Sequence, residues 1–167
     1  MEHIPDIEDR EFPTSQGHWT GDLLWEEEPF PGEPPCITAT VNEDNPTADL
    51  TLVAPYIDAE PGYDHTLNIY LSAKDGDSDN ASGYAILTDG VYSYTLTDLW
   101  WYGAGFPYLN QLNQAIPEDW DVENTQLQMH FDFVEDVGLT IMIVKLNLES
   151  EDITAARADH LPLMGVH

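Results

Sequence analysis

The sequence predicts an all-β protein, a single β-sandwich of the jelly-roll kind, and three observations carry that expectation. Apolar and polar residues alternate in seven or eight short runs, the period of a strand with one buried face. Proline, glycine and acidic turn residues punctuate those runs. No strand alternates with a helical pattern in the way a parallel α/β sheet requires. Three segments follow: an irregular N-terminal segment (1–35), the sandwich (36–150) and a C-terminal tail or arm (151–167).

Taken in order, residues 1–35 hold Pro5, Pro13, Pro29, Pro31, Pro34 and Pro35 with Glu26-Glu27-Glu28 among them, and read as irregular or edge structure. Trp19 and Trp25 are expected to cap one end of the core. Cys36 to Val41 is a strand with Ile37, Ala39 and Val41 on one face, and Ala48 to Val53 is a second after the turn at 42–46. Thr66 to Ser72, Tyr84 to Thr88 and Val91 to Leu96 read as an antiparallel meander, with Asp89-Gly90 turning the last two runs. Leu109, Leu112 and Ile116 stand at helical spacing, so about two helical turns are expected before Pro117. Thr125 to Phe133 alternates most cleanly: Leu127, Met129, Phe131 and Phe133 face inward, and Gln126, Gln128, His130 and Asp132 outward. A hairpin at 135–138 leads into Leu139 to Leu148. That strand slips phase between Ile143 and Val144, which predicts a β-bulge or burial on both faces. Ile153 to Ala158 reads as a short helix before an apolar tail.

Charge bounds the partners. The chain has 167 residues, 32 Asp and Glu against 4 Lys and Arg, and a formal net charge of −28. With 11% aromatic residues this is an acidic folded domain rather than acidic disorder. Such a surface has no footprint for phosphate, so nucleic acid is excluded as a ligand. Adaptation to high salt, cation binding by clustered carboxylates and attraction to a basic partner all account for the charge. Cys36 is the only cysteine, which excludes an intrachain disulfide; it reads as a small core residue. The N-terminus has no basic and apolar leader and no run reaches membrane-spanning length, so no membrane is expected.

The order of features resembles the galactose-binding-like jelly rolls of carbohydrate-binding modules. Gly17-His18-Trp19-Thr20 and Trp25 precede a strand pair; Glu60-Pro61-Gly62-Tyr63 enters Leu67-Asn68-Ile69-Tyr70-Leu71; Leu127 to Phe131 and Ile143 to Leu148 close the module. The resemblance covers about residues 12–150 and implies a β-sandwich with a glycan as a partner. Domains of this type also recur in tails, fibres and capsid decorations of tailed viruses, which implies virion proteins as partners. Modules of this type often close on an aspartate-bearing strand that serves a structural calcium. Val144 and Lys145 stand there instead, so that ligand is not carried over.

Three constellations are candidates. Trp100, Trp101 and Tyr102, with Tyr92 and Tyr94, form a possible stacking surface for sugar rings or a partner, against the reading that such aromatics fill the core. Extended backbone turns Trp100 and Trp101 to opposite faces, so one of them is expected outside. Asp75, Asp77 and Asp79 have the alternate spacing of a calcium loop, but Asn80 and Ile86 replace the glycine and glutamate an EF-hand needs; calcium is the one cofactor the sequence raises. Leu161, Leu163, Met164 and Val166 make an apolar assembly arm. No nucleophile, zinc or phosphate motif is present. The leading expectation is therefore a non-catalytic structural or adhesion protein, a virion component (capsid decoration, tail or fibre) of a virus of a salt-loving host. It would be located in the virion, or otherwise in the cytoplasm, and act as a homo-oligomer or in repeated copies. A carbohydrate-binding module is the alternative, and a glycoside hydrolase or lyase the third reading.

Overall fold

The computed structural model describes residues 2–3, 19–33, 35–53, 57, 59–75, 81–103, 106–134 and 138–152. The elements are β1 (Glu2–His3), β2 (Trp19–Gly21), β3 (Leu24–Glu26), β4 (Cys36–Val41), β5 (Thr47–Val53), β6 (Tyr63–Asp75), β7 (Ala81–Thr88), β8 (Ser93–Leu96), β9 (Tyr108–Ala115), β10 (Gln126–Phe133) and β11 (Leu139–Asp152). A 3₁₀ turn, Val122–Asn124, precedes β10. The strands form two antiparallel sheets. One runs β3-β4-β11-β6-β9, with β1 also on β11; the other runs β2-β5-β10-β7-β8. The expected sandwich is the observed fold.

The inward parity of each strand builds the core. Ile37, Ala39 and Val41 of β4, Leu67, Ile69 and Leu71 of β6, and Ile141 and Ile143 of β11 face Leu50, Leu52, Ala85, Leu87, Leu127, Met129 and Phe131 of the other sheet. Each large side chain buried this way contributes about 1.5–3 kcal/mol. The phase slip in β11 is a bulge: the β11–β6 register shifts between Ile143 and Lys145, so Leu146 and Leu148 return to the core. Trp19 is buried, and β2 and β3 lie at the sheet edges, where proline-rich flanks cost no ladder bonds. Gly21, at φ +120°, lies so close to β5 that a Cβ would meet the Asp49 carbonyl oxygen at 1.9 Å. Cys36 points away from the core yet is buried; burial, then Glu26, pushes its thiol up to about 12, so it stays protonated.

Three sequence expectations need correction. Leu109 to Ile116 is not helical: Tyr108–Ala115 is an edge strand paired residue by residue with β6, and Asn110, Leu112 and Gln114 share its inward parity. Eight ladder pairs outweigh a local helical spacing. The meander is also not continuous, because β6 and β7 lie in different sheets; only β7 and β8 form a hairpin there. The closing hairpin is likewise a crossing from β10 in one sheet to β11 in the other. Residues 76–80 and 153–167 lie outside the described residues. They include Asp77, Asp79, the short helix expected from Ile153 and the arm residues Leu161, Leu163, Met164 and Val166; of Asp75 only the backbone, at the end of β6, is described.

Candidate functional site

The connection from β8 to β9 crosses from one sheet to the other and carries the densest aromatic stretch of the chain. Both sheets hold it. On one side the Leu99 amide donates to the Gly83 carbonyl (3.0 Å). On the other the buried Asn110 side chain clamps Trp100: its Oδ1 accepts from the Trp100 amide (2.7 Å) and its Nδ2 donates to the Trp100 carbonyl (2.8 Å). The Ala73 amide donates to the Tyr102 carbonyl (2.7 Å), and the Ser72 hydroxyl reaches the carbonyls of Tyr102 and Gly103. Every one of these partners lies in a strand, so residues 99–103 are held rigidly to both sheets.

That rigidity sorts the aromatics. Trp101 is 5% exposed and sits edge-on to Phe131, at 6.1 Å between ring centroids. Its neighbours turn outward: Trp100 is 63% exposed and Tyr102 62%. Tyr108, at the start of β9, is 51% exposed and lies 6.5 Å from Trp100 with the rings tilted by 47°. With Asp98, Leu99, Ala81, Ser82 and Gly83 these residues line an open cleft of about 750 Å³. Gly83 leaves no room for a side chain, since a Cβ there would meet the ring of the buried Phe131 at 2.7 Å.

The sequence grouped five aromatics that the fold separates. Trp100 and Tyr102 stand exposed in the cleft, whereas Trp101, which also lines it, is packed into the core. Tyr92 and Tyr94 stack on the buried Trp120, with centroids at 6.4 and 5.9 Å, toward the other end of β7. The Tyr92 hydroxyl donates to Asp119, and that bond raises its pKa above the ordinary phenol value. Tyr108, Asp98 and Asn110 were missed. Tyr108 follows the Trp100-Trp101-Tyr102 run closely in the sequence, but reading a helix from Leu109 hid its pairing with β6.

The outward residues of β7, Ser82, Tyr84, Ile86 and Thr88, lead from this cleft along the sheet. They meet Asp132, His130, Gln128 and Gln126 of β10. The Tyr84 and His130 rings stack at 4.9 Å, and His130 lies 2.6 Å from Asp49 and 3.0 Å from Asp132. A second groove, lined by Ile86, Thr88, Asn124, Gln126 and Gln128, opens at the far end.

No group of three metal-ligating side chains occurs among the described residues. At the position where the resemblance places a calcium ligand, Val144 lines an apolar groove and the Lys145 ammonium lies 5.7 Å from the Tyr70 ring centre. Neither side chain supplies an oxygen, so these residues do not replace the carboxylate such an ion takes there.

No family model matches the chain, and no curated protein matches it. Solved structures do. A family 16 carbohydrate-binding module shares the fold with a TM-score of 0.56 at 8% identity, over 88% of this chain and 99% of its own. A family 61 carbohydrate-binding module, in complex with β-1,4-galactotriose, matches with a TM-score of 0.50 at 11% identity, over 88% of this chain and 95% of its own. The enzymatically active domain of tailspike protein 4 of bacteriophage CBA120 matches with a TM-score of 0.51 at 13% identity, over 89% of this chain but 20% of its own. At these identities the likeness establishes the shared β-sandwich.

Proposed function

We propose that this protein is a carbohydrate-binding module whose glycan seats in the cleft of Trp100, Tyr102 and Tyr108. The observation that carries the reading is the contrast within one loop: Trp101 is buried while its two neighbours hold large aromatic faces in water. Exposing such rings loses hydrophobic stabilisation that burial would supply, and a sugar's apolar face recovers it on binding. Hydrogen bonds from both sheets anchor residues 99–103, which limits the conformational entropy lost on association. The run of outward polar residues along β7 and β10 gives a longer oligosaccharide further hydrogen-bonding partners. Similar solved structures that are carbohydrate-binding modules support the same direction.

The module is non-catalytic in this reading. Asp98 is the one carboxylate among the cleft's lining residues, and glycoside hydrolysis uses two. The test is titration with a panel of oligosaccharides. A millimolar or tighter ligand that is lost in Trp100→Ala, with unchanged melting temperature, supports the assignment. No binding by any glycan at millimolar concentration sinks it.

A second reading, a virion component of a tailed virus acting by adhesion or assembly, draws support from the similarity to the tailspike domain. It is compatible with glycan binding and adds a prediction of its own: defined oligomers by light scattering, dispersed when residues 153–167 are removed.

A further inference from the structure

We propose that the cleft selects glycans bearing a positively charged amino group, of the glucosamine-oligomer class, over acetylated or acidic sugars; this deepens and rests on the carbohydrate-binding reading. The first argument is the composition of the wall. Among its nine lining residues there is no lysine, arginine or histidine, and the one acidic side chain is that of the exposed Asp98. The three rings beside it present faces that carry the negative end of the aromatic quadrupole, which attract an ammonium within about 6 Å. A carboxylate set among Trp100, Tyr102 and Tyr108 is thus matched to a cation on an otherwise stackable ligand.

The second argument is that the backbone carrying the carboxylate is positioned. Asp98 is the sole non-glycine residue at positive φ among the described residues (φ 56°). Aspartate tolerates that conformation better than most residues, but it is held there rather than sampled freely. The next two residues fix it: Leu99 is bonded to Gly83, and Trp100 is clamped by Asn110. The backbone bend at Asp98 is where the chain leaves one sheet for the other.

The third argument is the surrounding field. The chain's net charge of −28 repels uronates, sulfates and phosphates at long range and draws amines in. The two described lysines do not offset it at the cleft, because Lys74 pairs with Glu26 and Lys145 lies over Tyr70.

A trisaccharide of glucosamine, its fully N-acetylated counterpart and a uronate trisaccharide, each titrated at about pH 6 at low salt, separate the outcomes. The amine is expected to bind about tenfold more tightly than the acetylated sugar, with the uronate weakest. In Asp98→Asn, which changes the total charge by one unit, that preference should fall to within about twofold. A preference that survives Asp98→Asn comes from the general field and overturns the site assignment. Equal or tighter binding of the acetylated sugar overturns it as well. If a neutral glycan binds in a Trp100-dependent way without amine preference, only this inference fails; if no glycan binds at all, the carbohydrate-binding reading fails with it.

Discussion

Trp100 and Trp101 are neighbours with opposite environments, and the difference is measurable. Trp100→Ala should abolish glycan binding and leave the denaturant midpoint unchanged. Trp101→Ala should remove about 3–5 kcal/mol of stability by opening a cavity against Phe131. The sequence made one of the pair external by alternation, but it had no means of choosing which, since that depends on which sheet the loop leaves. His130 makes a second residue-scale test. The hydrogen bond that its ring donates to Asp49 raises its pKa above the ordinary value, burial opposes this, and Asp132 adds to it. A raised folded pKa means that the pair's stabilisation is complete below about pH 6.5 and is lost as pH rises through the folded value. Wild type should therefore exceed His130→Gln by about 1 kcal/mol near pH 5.5, and the gap should close by pH 9. Thermal melts of both proteins across that range check the sign.

Single side chains also hold whole elements in place. Asn110 is the pin of the aromatic loop: Asn110→Ala leaves the Trp100 amide and carbonyl without their partner. Hydrogen exchange at Trp100 should accelerate and affinity fall about tenfold although no contact to ligand is removed. Asp89 does the same for the β7–β8 hairpin. Burial favours its neutral form, but the amides of Asp121, Tyr92 and Val91 outweigh that and hold its pKa below the ordinary value. Its contribution is present above about pH 4 and lost as pH falls through the lowered folded value. Asp89→Ala should lower stability by about 2–3 kcal/mol at neutral pH, read from urea unfolding. At this scale the sequence was legible in part. Alternation named the inward residues of β4 and β10 correctly and located the slip in β11, because burial of one face is a local pattern. It named the wrong partners for β6 and β10, and it missed β9, because pairing is decided by residues far away in the chain.

For the molecule as a whole, the formal charge of −28 and the sandwich fold make opposing demands: self-repulsion resists the compaction that the core favours. If the charge is an adaptation to salt, the melting temperature should climb steeply between low and molar KCl. A flat response removes the salt-loving host from the reading. A rise at micromolar calcium without KCl would instead point to Asp75, Asp77 and Asp79. The fold class was readable because a sandwich is written in period and punctuation along the entire chain. The cleft was only half readable, because it forms where β8 crosses to β9 and gathers Ser82, Asp98 and Tyr108 from three parts of the sequence.

The strand order has a consequence for how the chain is made. β11 lies between β4 and β6, and β10 lies between β5 and β7, so the last two of the described strands in chain order are the central ones of both sheets. Until they leave the ribosome, the earlier strands have open edges that invite pairing between nascent chains. Chains ending at Phe133 should remain protease-sensitive and collect in aggregates, whereas chains ending at Asp152 should fold. The dense negative charge then has a use before the structure exists: it keeps unfinished copies apart during the interval in which nothing else protects them.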